Sequence, residues 1–170
     1  MKAIIWDKSD ISSITNQQHE MWFDIYNNDL FEDRGHDITL MHIDDIDKLY
    51  IKFKNEYLMY LNSLANDSDF QFYVLLEDEY GKFISQARVI TRDNRYIIEG
   101  LETHRDFMKK GAATKLIHEL ERVAKSKGIK ELYANSYNKN IPSIKTFKKC
   151  NYVEVESGLD NRICMKKDLR

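Results

Sequence analysis

A basic stretch rich in small residues, KKGAATK at residues 109–115, opens the most regularly patterned helix of the sequence. Apolar residues then recur three and four positions apart, which predicts an amphipathic helix. Its start is unfavourable, because Lys109 and Lys110 add positive charge at the positive end of the helix dipole. In addition, no Ser, Thr, Asp or Asn directly precedes Gly111 as a cap. A bound anion would satisfy such a start, since free N–H groups and the dipole converge there.

This stretch matches neither of two standard phosphate motifs. The sequence has no GxxxxGK[ST] loop, and Gly111 lacks the partner glycines of a GxGxxG fingerprint. Small residues at 111–113 would still let a bulky anion approach the backbone closely. Taken alone, the stretch is more typical of solvated lysines followed by two helix-forming alanines.

Two carboxylates lie in the preceding apolar segment, RYIIEGLETH at residues 95–104, which reads as a strand. Side-chain alternation predicts that Glu99 and Glu102 lie on opposite faces of that strand. A carboxylate among apolar residues is a candidate general base, because burial raises the pKa of a carboxyl group towards a useful range. The alternative is a carboxylate at a sheet edge, paired with Arg88 or Arg105.

Strands and helices that position these residues can be read from hydrophobic periodicity. Seven strands are predicted, at residues 2–6, 70–77, 83–91, 95–104, 130–135, 151–157 and 161–167. Four helices are predicted, around residues 11–25, 46–64, 111–128 and 140–150. Asp10 is the expected cap of the first helix. Alternating strands and helices in the second half favour an α/β class with a mixed sheet.

Composition indicates an ordinary globular protein. The net charge is −2 with no basic excess, which argues against nucleic acid as the main partner. Two cysteines, Cys150 and Cys164, make neither a disulfide framework nor a zinc pattern, so no metal is expected. The first apolar run is too short for a signal peptide, and no segment resembles a membrane span. We therefore expect one cytoplasmic domain over residues 1–170 with no membrane partner.

Two motifs of the sequence resemble those of the GNAT superfamily of acyl-CoA-dependent N-acyltransferases, both in their residues and in their spacing along the chain. The family pattern [QR]xxGx[GA] corresponds to MKKGAA at residues 108–113, and the later pattern NxxAxxxYxxxGF corresponds to residues 140–152. The resemblance covers roughly residues 70–165, with the elements in matching order. It implies a mixed, mostly antiparallel twisted sheet of six to seven strands, with helices on both faces and a splay between the fourth and fifth strands.

The resemblance also implies a cosubstrate, acetyl-CoA, and residues that would bind it. Backbone amides near the helix start would hold the pyrophosphate, and the splayed strand would align the pantetheine arm. Asn140 matches a pantetheine-contacting asparagine and is at the same time a plausible helix cap. The implied cofactor-binding residues are Leu101, Glu102, Thr103, Met108, Lys109, Lys110, Gly111, Ala112, Ala113, Thr114, Asn140, Ser143 and Phe147.

Two departures from the family pattern affect the chemistry. Met108 replaces a Gln or Arg, which removes one polar contact to the phosphates, and Phe147 replaces a tyrosine that protonates the leaving thiolate. Solvent could replace that tyrosine, or Tyr137, Tyr152 or Cys150 could act instead. Glu102 and Tyr137 are the predicted catalytic residues, Glu102 because it lies nearer the acyl end than Glu99.

The acceptor is expected to be a primary amine of a small molecule or peptide. In the family it enters beside the first two helices, whose connection here, at residues 29–47, is acidic. An acidic entrance would favour a cationic amine such as a polyamine, an aminoglycoside-like compound or a lysine side chain. The alternative is a solvated loop in which Asp44 and Asp45 cap the second helix, and His36 and His42 have no evident role. The sequence leaves a homodimer open.

Two other functions remain as alternatives. Met108 and Phe147 are changes that a CoA-binding regulatory module without turnover would show. A protein-interaction domain would instead use Trp22, Tyr50, Phe53 and Tyr57 as a partner groove, although their helical spacing is more typical of a core.

Overall fold

A seven-stranded sheet forms the centre of the molecule. We describe it from a computed structural model, which covers residues 1–26, 41–157 and 161–170. The strands are β1 (Lys2–Trp6), β2 (Phe70–Glu77), β3 (Phe83–Arg92), β4 (Arg95–Thr103), β5 (Glu131–Tyr137), β6 (Val153–Ser157) and β7 (Arg162–Asp168). Their order is β1-β2-β3-β4-β5-β7-β6, and only the β4–β5 pair is parallel. The predicted mixed, mostly antiparallel sheet is confirmed.

Helices cover both faces of this sheet, as predicted. The helices are α1 (Lys8–Ser12), α2 (Asn16–Tyr26), α3 (Ile43–Leu64), α4 (Ala112–Ser126) and α5 (Ile141–Lys149). Helices α4 and α5 pack on one face, which we name the α4 face. Helices α1, α2 and α3 pack on the other, which we name the α3 face.

From Phe72 to Leu76, strand β2 separates the two cores by alternation. Its residues Phe72, Val74 and Leu76 point into the α4-face core, whereas Tyr73 and Leu75 point into the α3-face core. This continuous apolar run is typical of a strand that is covered on both sides.

The aromatic residues of the α3 face form a core and not a groove. Trp22 is fully buried, with its ring 5.1 Å from that of Trp6 and 4.8 Å from that of Tyr73. Phe53 is also buried, and Tyr57 packs edge-on against Trp22. The partner-groove interpretation of these side chains is therefore wrong.

The predicted first helix is divided in two. Asp7, not Asp10, caps α1, and Asp10 completes the capping box as its third helical residue. A second capping pair starts α2, because Gln18 accepts the backbone N–H of Thr15 while Thr15 Oγ1 accepts that of Gln18. Two cap signals eight residues apart, at Asp7 and Thr15, cannot belong to one helix, so the helix breaks between them.

The second predicted helix starts earlier than expected. His42 caps α3 through Nδ1, which accepts the backbone N–H of Asp44, so Asp44 and Asp45 lie in the first turn and are not the caps. Their negative charge suits the positive end of the helix dipole. Most of the acidic connection, including Asp29, Glu32, Asp33, His36 and Asp37, falls in residues 27–40, outside the described residues.

A largely buried ion pair joins α4 to strand β7. Lys167 Nζ lies 2.8 Å from both carboxylate oxygens of Glu121, and the side chains are only 18% and 11% exposed. We expect Glu121→Gln to lower the free energy of unfolding by about 3 kcal/mol, the low end of the range for breaking a buried ion pair, because it leaves the largely buried Lys167 ammonium without its counter-charge. Urea denaturation measures this.

The matched control is Glu119→Gln, two residues away on the same helix. Glu119 pairs with Arg122, whose side chain is 61% exposed. Such exposed pairs contribute roughly 0–1 kcal/mol, so this change should be close to neutral. Equal losses in the two variants would contradict the role assigned to Glu121.

Candidate active site

A cleft opens where β4 and β5 separate. The two strands pair only at Ile97–Tyr133 and Ile98–Ala134. Beyond these positions they diverge, and an open cleft of about 380 Å³ lies between them. It is lined by Arg88, Arg92, Ile97, Ile98, Glu99, Gly100, Leu101, Glu102, Asn135, Ser136, Tyr137, Asn140, Ser143, Phe147 and Arg162. The predicted splay between the fourth and fifth strands of the family is confirmed.

A bulge in β4 changes which side chains face the cleft together. Glu99 is opposite Arg88 and Glu102 is opposite Gln86, so three steps along β4 match two along β3. Gly100 adopts φ +62°, a conformation that favours glycine. Glu99 and Glu102 consequently share the α3 face, and the prediction that they lie on opposite faces is wrong.

Glu99 is held by two arginines. Its carboxylate accepts hydrogen bonds from Arg88 Nη2 at 2.8 Å and lies 3.2 Å from Arg92 Nη2. Arg88 also donates to Tyr73 Oη at 3.1 Å. Burial would lower the pKa of the Arg88 guanidinium, but Tyr73, Tyr60 and Glu99 more than offset it, so that pKa lies above its ordinary value. Arg88 is therefore a permanent cation beneath the cleft.

Glu102 lies on the same face in a different setting. Gln86 Nε2 donates a hydrogen bond of 3.1 Å to its carboxylate, and Gln86 is fully buried. Beyond Ile98 strand β4 pairs with β3 and not with β5, so Glu102 lies on the open side of the splay. The Arg88 pairing considered for Glu102 belongs to Glu99. The structure thus places the two carboxylates in one cleft with different partners.

The turn between β4 and α4 presents an uncapped helix start. Gly111 is the N-cap with φ +84°, it makes no side-chain cap hydrogen bond, and a Cβ there would meet no atom within 4 Å. The first intrahelical bond is from Lys115 N to Gly111 O, so the amides of Ala112, Ala113 and Thr114 precede the helical ladder. This is the open, donor-rich geometry that an anion requires.

Residues before Gly111 bring positive charge to that start. Lys109 has φ +60°, and Lys110 Nζ lies 5.6 Å from the centre of the Phe107 ring. Both lysines and Met108 are exposed. Met108 offers no polar atom at the position where the family pattern has Gln or Arg, so the backbone and the lysines supply the donors here.

Helix α5 contributes the opposite wall of the cleft. Asn140 caps it, since Oδ1 accepts the Ser143 backbone N–H at 3.2 Å. The cap uses only the oxygen, and the amide nitrogen of an asparagine carries two further donors. Phe147 is buried and packs edge-on against Tyr152, with ring centres 5.2 Å apart.

The three candidate proton donors lie in different places. Tyr137 is the last residue of β5 and lines the cleft, and its hydroxyl accepts a 2.9 Å hydrogen bond from Arg162 Nη2. Cys150 and Tyr152 are buried in the α4-face core, and burial raises the pKa of both. Only Tyr137 among the three therefore lines the cleft.

Some site residues lie where the sequence did not indicate them. Thr103, expected at the cofactor, does not line the cleft, and its hydroxyl lies 2.9 Å from Ser85 Oγ. Conversely, no sequence motif indicated Arg92 or Arg162, which line the cleft from β3 and β7. No sequence pattern links these two strands, which the fold brings to either side of the β4–β5 pair.

Sequence comparison identifies the family. The model of the Acetyltransferase (GNAT) family matches residues 16–152. This is well over half of the chain, and the protein belongs to that family. Compared with curated proteins by sequence, the chain matches none of them.

Solved structures share the fold at low sequence identity. Aminoglycoside 6'-acetyltransferase type Ii superimposes with a TM-score of 0.68 at 15% identity, covering 100% of this chain and 98% of that one. PaiA N-acetyltransferase from Thermoplasma acidophilum, crystallised with coenzyme A, gives 0.67 at 14% identity and 99% coverage of both chains. N-acetyltransferase PseH from Campylobacter jejuni, crystallised with acetyl coenzyme A, gives 0.67 at 15% identity, covering 98% and 99%.

Among the residues that the structure describes, none of the helices is long and apolar enough to traverse a bilayer.

Proposed function

We propose that the protein is an N-acetyltransferase that moves the acetyl group of acetyl-CoA to a primary amine by direct attack. The observation that carries this proposal is the continuity of β4 with the uncapped start of α4. The strand borders the cleft, and the short turn Arg105–Phe107 then leads to the open amides beyond Gly111. An extended thioester with a phosphate at its far end fits this arrangement, with the thioester along β4 and the phosphate at the start of α4. Family membership and the coenzyme A present in two structural neighbours support it.

In this proposal, acetyl-CoA lies between β4 and α5. The backbone from Lys109 to Thr114 binds the pyrophosphate, with Lys109 and Lys110 adding positive charge. Main-chain groups of Leu101 and Glu102 align the pantetheine arm, while Asn140, Ser143 and Phe147 form the opposite wall.

The transfer itself forms one bond and breaks another. The neutral amine nitrogen attacks the thioester carbon, so a C–N bond forms, the C–S bond breaks and CoA leaves as a thiolate. Holding both reactants in one cleft supplies much of the rate enhancement. Glu102, next to the cleft on the α3 face, takes a proton from the amine, directly or through water.

Tyr137 is the proposed donor to the leaving thiolate. Arg162 donates to its oxygen, so the phenol's own O–H remains available as a donor.

A thermal melt with acetyl-CoA tests the proposal first. Ligand at a hundredfold excess over its dissociation constant should stabilise the protein by about 2.7 kcal/mol. For a domain of this size, that corresponds to a shift in Tm of roughly 5–10 °C. Amine-dependent thiol release then tests turnover. Absence of any saturable shift would contradict the proposal, and a shift without thiol release from any amine would favour the regulatory module.

Phe147→Tyr is a second test, aimed at the leaving-group step. The residue lines the cleft, so a hydroxyl there restores a donor at the position where the family pattern has tyrosine. We expect kcat to be equal to that of the parent or up to about 10²-fold higher, the lower end of the range for a general acid. A large loss in kcat would show that the buried ring position does not admit the hydroxyl.

The cationic acceptor expected from the acidic connection rests on residues 29–47, most of which lie outside the described residues. Evidence on the charge of the acceptor comes instead from the charged residues that line the cleft.

A further inference from the structure

The described residues that line the cleft carry an excess of positive charge. Three of its lining residues are arginines, Arg88, Arg92 and Arg162, and two are glutamates, Glu99 and Glu102. The excess is therefore one positive charge among the described lining residues. A site for a polyamine would be expected to have the opposite balance.

The arginines share one carboxylate between them. Both Arg88 and Arg92 pair with Glu99, at 2.8 and 3.2 Å, so that carboxylate is already committed to two guanidinium groups. A single carboxylate cannot neutralise two cations. Arg92 keeps 56% of its side chain exposed, which leaves its guanidinium accessible from the cleft.

Arg162 approaches from the other side of the cleft. Its guanidinium stacks over the Tyr137 ring, 4.7 Å from the ring centre, and donates to the Tyr137 hydroxyl. Strand alternation places Tyr137 on the α3 face, because Ala134, three residues earlier, belongs to the α4-face core. Arg162 is opposite Tyr137 in the β5–β7 ladder, so it shares the face of Glu99 and Glu102.

We propose that the acceptor is an amine that also carries an anionic group, a carboxylate or a phosphate, bound by Arg92 and Arg162 while the amine faces Glu102. This inference rests on the proposed acetyl transfer. Guanidinium groups match carboxylate and phosphate oxygens through paired hydrogen bonds, and the stacking on Tyr137 fixes one of the two groups in advance. A polycationic amine would meet two like charges at the same positions.

Matched amine pairs test the charge requirement by thiol release from acetyl-CoA. In each pair the anionic group is present or absent: β-alanine and ethylamine, 6-aminohexanoate and pentylamine, L-phenylalanine and phenethylamine, L-lysine and cadaverine, O-phosphoethanolamine and ethanolamine. We expect at least one anionic member to have a kcat/KM about 10- to 100-fold above its partner, the range for hydrogen bonds to a charged group. The phosphate pair distinguishes a phosphate from a carboxylate.

Variants then assign the effect to the two arginines. Arg92→Gln should raise KM for the preferred anionic amine about 10-fold or more, with KM for its uncharged partner and for acetyl-CoA unchanged. Arg162→Gln should raise the same KM and, because Arg162 also holds the Tyr137 hydroxyl, lower kcat for both members of the pair. Arg92→Lys should recover part of the loss. Arg122→Gln, on the exposed surface of α4, is the matched control and should change none of these constants. If the arginines had a purely structural role, their replacement would raise KM equally for both members of a pair.

Three outcomes are distinguishable. Higher kcat/KM for the uncharged or polycationic members overturns the anionic-acceptor inference while supporting acetyl transfer. An equal rise in KM for both members of a pair in Arg92→Gln and Arg162→Gln also overturns the inference. Thiol release from no amine, despite a saturable acetyl-CoA melt, overturns the proposed function and the inference with it.

Discussion

Gly111→Asp is expected to weaken CoA binding at least about 100-fold while leaving the fold intact. The new carboxylate would occupy the open space in front of the first amides of α4 and accept their hydrogen bonds as a cap. It would also repel the pyrophosphate with a like charge. Because Asp is one of the few residues that tolerate a left-handed conformation, the loss of stability at φ +84° should stay near 1 kcal/mol. Calorimetric titration with CoA measures the affinity.

Two variants separate charge from backbone conformation. Gly81→Asp introduces the same residue at φ +80°, also into open space, but in the β2–β3 turn and outside the cleft lining. It should keep full CoA affinity. Gly111→Ala carries the conformational cost without the charge and should lose much less affinity than Gly111→Asp. If Gly111→Asp retained parental affinity, the pyrophosphate would have to bind elsewhere.

The start of α4 was predictable because its signals are local. Two lysines, a glycine and no capping side chain can be read within a few residues of sequence, and they describe the same feature that the structure shows. Helix periodicity after Ala112 is equally local. The family motifs added the expectation that this start faces a ligand.

The orientation of Glu99 and Glu102 was not predictable by the same means. Alternation along β4 is valid only while the register with β3 is continuous, and the bulge at Gly100 breaks it. A glycine inside a strand pattern is a known sign of a bulge, so Gly100 was the one available signal. Which faces Glu99 and Glu102 then occupy depends on the pairing of β4 with β3.

The charges of the cleft required the tertiary structure. Arg92, Glu99 and Arg162 come from three different strands, and β7 returns beside β5 only after α5 and β6. Nothing in the local sequence indicates that Arg162 meets Tyr137. The acidic connection suggested a cationic acceptor, whereas the described lining residues have the opposite balance.

Glu102→Gln is the variant expected to reduce turnover most. If Glu102 takes the proton from the amine, kcat near neutral pH should fall by about 10²- to 10⁴-fold. KM for acetyl-CoA should be unchanged, because the proposed contacts of residue 102 with the cosubstrate are main-chain contacts. The amide keeps an oxygen for the Gln86 hydrogen bond, so the melting temperature without ligand should stay close to that of the parent.

The pH dependence gives this variant a specific signature. As pH rises towards the pKa of the acceptor amine, more of the amine is neutral before it binds, and the need for a base decreases. The deficit of Glu102→Gln should therefore shrink with increasing pH, whereas a general loss of structure would persist at every pH. Glu77→Gln is the matched control, since Glu77 lies in the same sheet, pairs with Lys2 and is not in the cleft. A deficit that did not vary with pH would place the base elsewhere and leave Glu102 with a positioning role.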